Sequence, residues 1–225
     1  MSLLLSLEAS DQYCSAALHE EGNLIAAERI TEPRMAASLL APSVKKLLLD
    51  NHVAFSQLKG VAIGSGPGSY TGLRITSSLA KGICTALQIP LIAVNTLSAM
   101  TEAVINRHGF IFFCPALDAR RDEIYFQIQE PSGKIVVPVT NLVVEKNSFS
   151  EQLEQGPVLF FGSGARKIAD ITGHEHVTAE NTQPDAGYVG VLGFEKWKAG
   201  AFESLEFFEP FYLKEFIAGR KSGNG

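Results

Sequence analysis

Two stretches of this chain repeat one another, and that repeat limits the fold more than any other feature. Leu7-Glu8-Ala9 closes an apolar run near the start, and Leu117-Asp118-Ala119 closes another 110 positions later. Gly22 sits in the turn cluster Glu21-Gly22-Asn23, and Gly133 sits in Pro131-Ser132-Gly133 at an offset of 111. Each half ends its first strand on a carboxylate, runs a hairpin with a turn glycine, and later reaches strand, glycine loop and helix. Two similar α/β lobes facing one cleft are the architecture this implies.

The elements follow from periodicity. Strands are predicted at 3–6, 13–18 and 24–30. A helix over 35–49 has Leu40, Val44, Leu47 and Leu48 on one face. A strand at 60–63 leads through a glycine-rich loop into a helix over 70–87, then a strand at 91–94 and a helix over 97–107 closed by Gly109. The second round gives strands at 110–117, 123–129 and 134–139, a short helix at 148–153, a strand at 158–161 and the loop Gly162-Ser163-Gly164. The expected division is a first lobe at 1–109, a shorter second lobe at 110–213, and a cationic tail at 214–225, expected to be mobile.

The chain has 225 residues and a net charge of −5. A protein that holds nucleic acid by itself shows a basic footprint, so contact with nucleic acid is expected to be indirect. Cys14, Cys84 and Cys114 are widely spaced in apolar stretches without a CxxC pair and read as buried small hydrophobes in a reducing compartment. The start, MSLLLSLEAS, has a short apolar run, no basic flank and an early Glu8, unlike a signal peptide or a membrane span. The expected location is the cytoplasm, with no membrane association.

The densest local signal is Gly64-Ser65-Gly66-Pro67-Gly68-Ser69-Tyr70-Thr71-Gly72-Leu73-Arg74, between a strand and a helix. Gly66, Gly68, Ser69, Thr71, Gly72 and Arg74 have the character of an anion loop, because glycines allow close backbone approach and a helix start offers free N–H groups. The run matches neither standard phosphate motif, since Ser69 stands where each would need a glycine, and no Lys follows. A structural turn that seats a helix tightly on a sheet explains the same residues.

That run resembles the hallmark of the bacterial TsaB (YeaZ) family. Glu8-Ala9-Ser10 resembles the family's first-strand triplet, usually Asp-Thr-Ser. Ala116-Leu117-Asp118-Ala119-Arg120 with Glu123-Ile124-Tyr125 resembles its DAR-x-x-E-[VI]-Y segment, and Pro210-Phe211-Tyr212-Leu213-Lys214 its P-x-Y-L-[RK]. The resemblance implies an actin-like, Hsp70-like and sugar-kinase-like fold of two duplicated lobes. It also implies a non-catalytic subunit that pairs with a catalytic TsaD-like subunit and works with a TsaE-like ATPase. That machinery transfers threonylcarbamoyl to adenosine 37 of tRNAs reading ANN codons. Relatives form homodimers in isolation and meet tRNA only through the complex. Many carry a histidine near the start of the first helix, where this chain has Met35-Ala36-Ala37.

No chemistry of its own is expected from the residues. Among the five histidines only His174-Glu175-His176 cluster, and neither HxxxH nor HExxH occurs, so no metal site and no cofactor are predicted. A nucleotide-binding ATPase or small-molecule kinase is the alternative. Against it, neither Glu8-Ala9-Ser10 nor Asp118-Ala119-Arg120 has the glycine that wraps a phosphate, although weak nucleotide binding would remain compatible. Glu8, Asp118, Arg120 and Glu123 are family-motif residues without an assigned role, and the charge run 120–123 reads as a solvated turn.

The partner surface is expected on the helix over 70–87, and the resemblance points the same way, since it implies that the first two helices build a helical bundle with the catalytic subunit or with a second copy. Ser78, Gly82 and Thr85 form a line of small residues on the helix over 70–87, and a mid-helix glycine destabilises by roughly 1 kcal/mol relative to alanine, so it needs a reason. Close approach of another helix is one such reason; packing on the protein's own lobe is the other. Met35, Leu39 and Leu49 on the preceding helix exceed what one core stripe requires, and Met35 and Leu39 complete the candidate interface.

Overall fold

The structure is a computed structural model and describes residues 2–32 and 35–213. The cationic tail expected at 214–225 lies outside the described residues.

The first half forms a five-stranded sheet from β1 (Leu3–Glu8), β2 (Cys14–Glu20), β3 (Asn23–Ile30), β4 (Leu58–Gly64) and β5 (Leu91–Val94), in the order β3-β2-β1-β4-β5. β1 pairs antiparallel with β2 and parallel with β4, with Leu7 opposite Ile63. The second half repeats the plan with β6 (Phe112–Asp118), β7 (Glu123–Gln129), β8 (Ile135–Val143), β9 (Val158–Phe161) and β10 (Val177–Glu180), in the order β10-β9-β6-β7-β8. In each half a hairpin meander is followed by a parallel strand on the far side of the first strand. This is the duplicated α/β plan that the repeat implies, and it agrees with the actin-like fold that the family resemblance implies.

Alternation along β1 sorts the core. Leu3, Leu5 and Leu7 face α1 (Ala36–Asp50) and α2 (Tyr70–Leu87), where they meet Leu40, Val44, Leu47, Leu48, Ala80 and Cys84. Leu4 faces the other way, into a cluster with Ala62, Ile92, Val94, Val189 and Phe194. α3 (Thr96–Glu102) links the halves: Ala99 belongs to this second cluster, while Leu97 and Met100 pack with Phe113, Leu117, Leu159 and Phe161 of the second sheet. The helix ends five residues before the expected 107, with turns continuing through Arg107. The outer face of the second sheet is covered by α4 (Ser150–Leu153) and α5 (Ala165–Thr172), with Phe126, Phe149 and Phe160 in edge-on contact.

One helix corrects the expected division. α6 (Ala186–Lys198) lies in the stretch assigned to the second lobe, yet it packs across β1, β2, β4 and β5 of the first sheet. Its glycines explain how it lies so close. A Cβ at Gly190 would collide with the His19 ring, and one at Gly193 would come 2.6 Å from Ala62 Cβ. His19 is buried, with Nε2 2.8 Å from Gly187 O and Nδ1 3.2 Å from Ser6 Oγ, and burial holds it below the usual histidine range. Asp185 caps the helix at Gly187 N and pairs with Arg29, while Ser15 Oγ accepts from Ala186 N. The first lobe is therefore closed by a segment that comes after the second.

Candidate functional site

The glycine-rich run connects β4 to α2 and sits on the end of β1. Ser69 N donates to Ser10 O at 2.6 Å, Gly66 N to Thr96 Oγ1 at 3.1 Å, and Gly72 N to Ser69 Oγ at 3.3 Å as the helix cap. A Cβ at Gly68 would strike Ser10 O, and one at Gly72 would strike Ala9 O. The glycines thus let the loop and the first turn of α2 approach the backbone of β1, and three of the loop amides already have partners inside the protein. Thr71 and Arg74 are exposed on the outer side of α2, with the Arg74 guanidinium 4.4 Å above the Tyr70 ring.

Glu8 is buried beneath this loop at 1% exposure. Its Oε1 accepts from Ser10 N at 2.6 Å, and its Oε2, against Gly64, has no hydrogen-bond partner among the described residues. Desolvation raises its pKa to about 7, with Ser10 opposing and Asp11 adding repulsion. Asp11, next along the chain, is raised by burial and by Asp118, with Ser163 opposing. The ends of the two first strands therefore face each other across the cleft, as the repeat predicts. Asp118 accepts from Lys167 Nζ and from the Arg120 amide, both at 2.7 Å, and Glu123 accepts from Asn141 Nδ2. Arg120 and Arg121 have positive φ and carry the turn between β6 and β7. Lys167 and Asp11 join this group although the sequence alone did not single them out. Beside them lies a cleft of about 580 Å³ lined by Gln12, Tyr13, Ser163, Arg166, Asn181 and Gln183. Among the described residues no group of three or more His, Cys, Asp or Glu could hold a metal ion, and no helix is long and apolar enough to cross a membrane. His176 Nδ1 lies 2.7 Å from Leu153 O.

The second candidate surface is the outer side of α1 and α2. Leu73, Thr76, Ser77, Ala80 and Cys84 are the buried side of α2, whereas Ser78, Gly82 and Thr85 are exposed. Among the described residues nothing lies within 4 Å of a Cβ placed on Gly82, so packing on the described part of its own lobe does not account for this glycine. Between the helices runs an open groove of about 530 Å³ lined by Ala37, Ala41, Thr71, Ile75, Ser78 and Leu79. Met35 is exposed at the start of α1, and Leu39 is half-buried, packed in part against the first core. One side of α1 carries Leu40, Val44, Leu47 and Leu48 into the core while another lines the groove with Ala37 and Ala41, and a count of apolar residues cannot separate the two.

The family model "TsaD: tRNA N6-adenosine threonylcarbamoyltransferase" matches residues 33–171. The chain is 34% identical over 205 residues to the Bacillus subtilis protein named "tRNA threonylcarbamoyladenosine biosynthesis protein TsaB", covering 86% of this chain and 87% of that one. It is 25% identical to the Escherichia coli protein of the same name, over 97% of each. Among solved structures, YeaZ from Pseudomonas aeruginosa superposes with a TM-score of 0.79 and 29% identity, covering 95% of this chain and 100% of that one. Component A of (R)-2-hydroxyglutaryl-CoA dehydratase from Acidaminococcus fermentans, at 11% identity, covers 89% of this chain and all of its own with a TM-score of 0.52, and shares the fold alone.

Proposed function

This chain belongs to the TsaB family of tRNA threonylcarbamoyladenosine biosynthesis proteins, and on that premise we propose that it is the non-catalytic assembly subunit of a cytoplasmic threonylcarbamoyl-transfer complex. Its product is an interface: the outer side of α1 and α2 docks a TsaD-like catalytic subunit, and the same side pairs two copies when that subunit is missing. A TsaE-like ATPase works with the pair, and tRNA is met only through the complex. The observation that carries this reading is Gly82, an exposed mid-helix glycine with open space over it, in a line of small residues beside an unfilled groove. Small residues let a second helix approach closely. The alternative of an ATPase or kinase has less support: neither Glu8-Ala9-Ser10 nor Asp118-Ala119-Arg120 carries the glycine that wraps a phosphate, and the amides of Gly66, Ser69 and Gly72 in the glycine-rich run are engaged within the protein.

The test is co-purification with the cognate TsaD-like protein and an assay of tRNA modification with and without this chain. The purified chain alone is expected to leave tRNA unmodified; conversion of threonylcarbamoyl-adenylate and tRNA to product by this chain alone would end the non-catalytic reading. Gly82→Met is expected to fold at least as stably as the wild type, because the added side chain meets no atom of its own lobe, and to lose both the homodimer and capture of the catalytic partner. A folded variant that binds as tightly as wild type would exclude the helix face as the interface.

A second expectation concerns nucleic acid. With a net charge of −5, the isolated chain is expected to bind tRNA more weakly than about 1 µM at physiological salt, since neutralising phosphates supplies most non-specific affinity. Filter binding across a salt series would show it, and tight salt-sensitive binding without partners would contradict it.

A further inference from the structure

Four buried side-chain oxygens have no hydrogen-bond partner among the described residues: Glu8 Oε2, Ser10 Oγ, Asp11 Oδ2 and Gln183 Oε1. Glu8 and Ser10 lie under the glycine-rich loop, where Gly64 and Gly68 press on them. Asp11 and Gln183 belong instead to the cleft between the lobes. Gln183 lines it, together with Gln12 and Tyr13, which follow Asp11 in the chain, and Ser163, which stands beside the Asp11 carboxylate. Ser163 and the Gln12 amide both approach that carboxylate, yet Oδ2 stays unpaired. Buried acceptors are stable only when a donor reaches them, and the described residues supply none here.

Charge points the same way. The other acids around the cleft each have a basic partner: Asp118 with Lys167 at 2.7 Å, Glu180 with Arg107 at 2.6 Å, and Asp170 with Arg166 at 3.5 Å. Asp11 has none among the described residues, although burial and the facing Asp118 both work against its charge. A buried carboxylate without a counter-ion is destabilising, and a cation relieves it. Among the described residues no group of three or more His, Cys, Asp or Glu could hold a metal ion. An ammonium asks for less, since one carboxylate and one or two neutral oxygens satisfy its three N–H donors. Tyr13, on the same wall, adds an aromatic ring of the kind that attracts a cation.

We propose that the cleft between the lobes binds a small organic cation through a primary ammonium group, seated between the carboxylate of Asp11 and the side-chain oxygen of Gln183. The volume of about 580 Å³ falls in the range of small-molecule sites. Asp11 and Tyr13 come from the first lobe, Ser163 from the second, and Gln183 from the segment that leads back to α6, so one occupant touches all three. An amino acid would bring its own carboxylate against Asp11, so the fitting ligand is an amine without one. The same acid repels phosphate, which makes this ligand the opposite of a nucleotide in charge. The inference does not depend on the helix-face reading above.

Isothermal titration calorimetry of the full chain with putrescine tests it, at pH 8, above the ordinary carboxylate range and below that of an amine. Saturable binding with a Kd below about 1 mM is expected. Asp11→Asn, which keeps the shape and removes the charge, is expected to weaken it about tenfold or more, and Gln183→Leu about threefold. Tetramethylammonium, a cation without N–H donors, is expected to bind about tenfold more weakly than putrescine. Glu145→Gln removes the same charge from an exposed site outside the cleft and is expected to leave binding unchanged. Equal affinity for n-butylamine would assign the site to monoamines, and tighter binding of putrescine and spermidine to polyamines. The absence of saturable amine binding below about 1 mM overturns the proposal and leaves water to these oxygens. So does an Asp11→Asn variant that binds as tightly as wild type, or tetramethylammonium that binds as tightly as putrescine. Equal weakening by Glu145→Gln and Asp11→Asn would reduce the effect to bulk charge and overturn it too.

Discussion

Glu8→Gln is expected to stabilise the folded chain by about 3 kcal/mol at pH 8 and by almost nothing at pH 4.5. The buried Glu8 carboxyl is raised by desolvation from its ordinary 4.5 to about 7. In the unfolded chain the acid ionises near 4.5, so between 4.5 and 7 the folded state holds a proton that the unfolded state has lost. The Glu8 contribution to stability is therefore greatest below 4.5, falls by about 1.4 kcal/mol per pH unit across that window, and levels off above 7. Glutamine keeps an oxygen to accept from Ser10 N and cannot acquire the charge. Denaturant unfolding of both proteins at pH 5 and pH 8 measures the difference directly. Equal gaps at the two pH values would show that Glu8 does not titrate in this window, and a destabilised variant at pH 8 would show that the charged form is stabilised by its surroundings.

The duplication was legible in the sequence because each half ends its first strand on an acid and turns its hairpin on a glycine; both signals are local. The outward line of α2 was legible for a similar reason, since Gly82 breaks a helical run and asks for an explanation. α6 was not legible. Ala186–Lys198 holds three glycines at three-residue spacing, a poor helix former by propensity. The reason for those glycines is the flat surface of a distant sheet, where Gly190 rests on His19 and Gly193 on Ala62. The group around Asp118 shows the same limit. Lys167 is 49 positions away, and only the stacking of α5 on the second sheet brings its ammonium to the carboxylate. Asp11 sat unremarked in a loop, although burial and the facing Asp118 make it one of the perturbed acids of the cleft. The stretch Pro210–Lys214 was read as a family motif, but the exposure of Phe211 within it depends on where the chain crosses the first lobe, its amide held by Ser65 O.

Gly72→Ala is expected to destabilise the chain by about 3 kcal/mol or more, the upper range for overpacking, because the obstacle is backbone. A Cβ at this position would run into the carbonyl oxygen of Ala9, on the buried side of the first turn of α2. A flexible side chain could rotate away, but Ala9 O belongs to the end of β1, whose neighbour Ser10 O also holds the loop through Ser69 N. Relief requires α2 to lift from the sheet, which would pull Leu73, Thr76 and Ala80 out of contact and disturb the Ser69 cap. Ten positions along the same helix, Gly82→Ala should act in the opposite sense and stabilise the isolated chain by about 1 kcal/mol, since helix propensity improves and nothing obstructs the methyl group. The pair is a controlled comparison: same substitution, same helix, one glycine facing the sheet and one facing solvent. Denaturant midpoints for the two variants, measured at a concentration where the chain is monomeric, check the sign of each. A well-tolerated Gly72→Ala would mean that the loop does not seat α2 on β1 as described, and the glycine-rich run would again need a ligand to explain it.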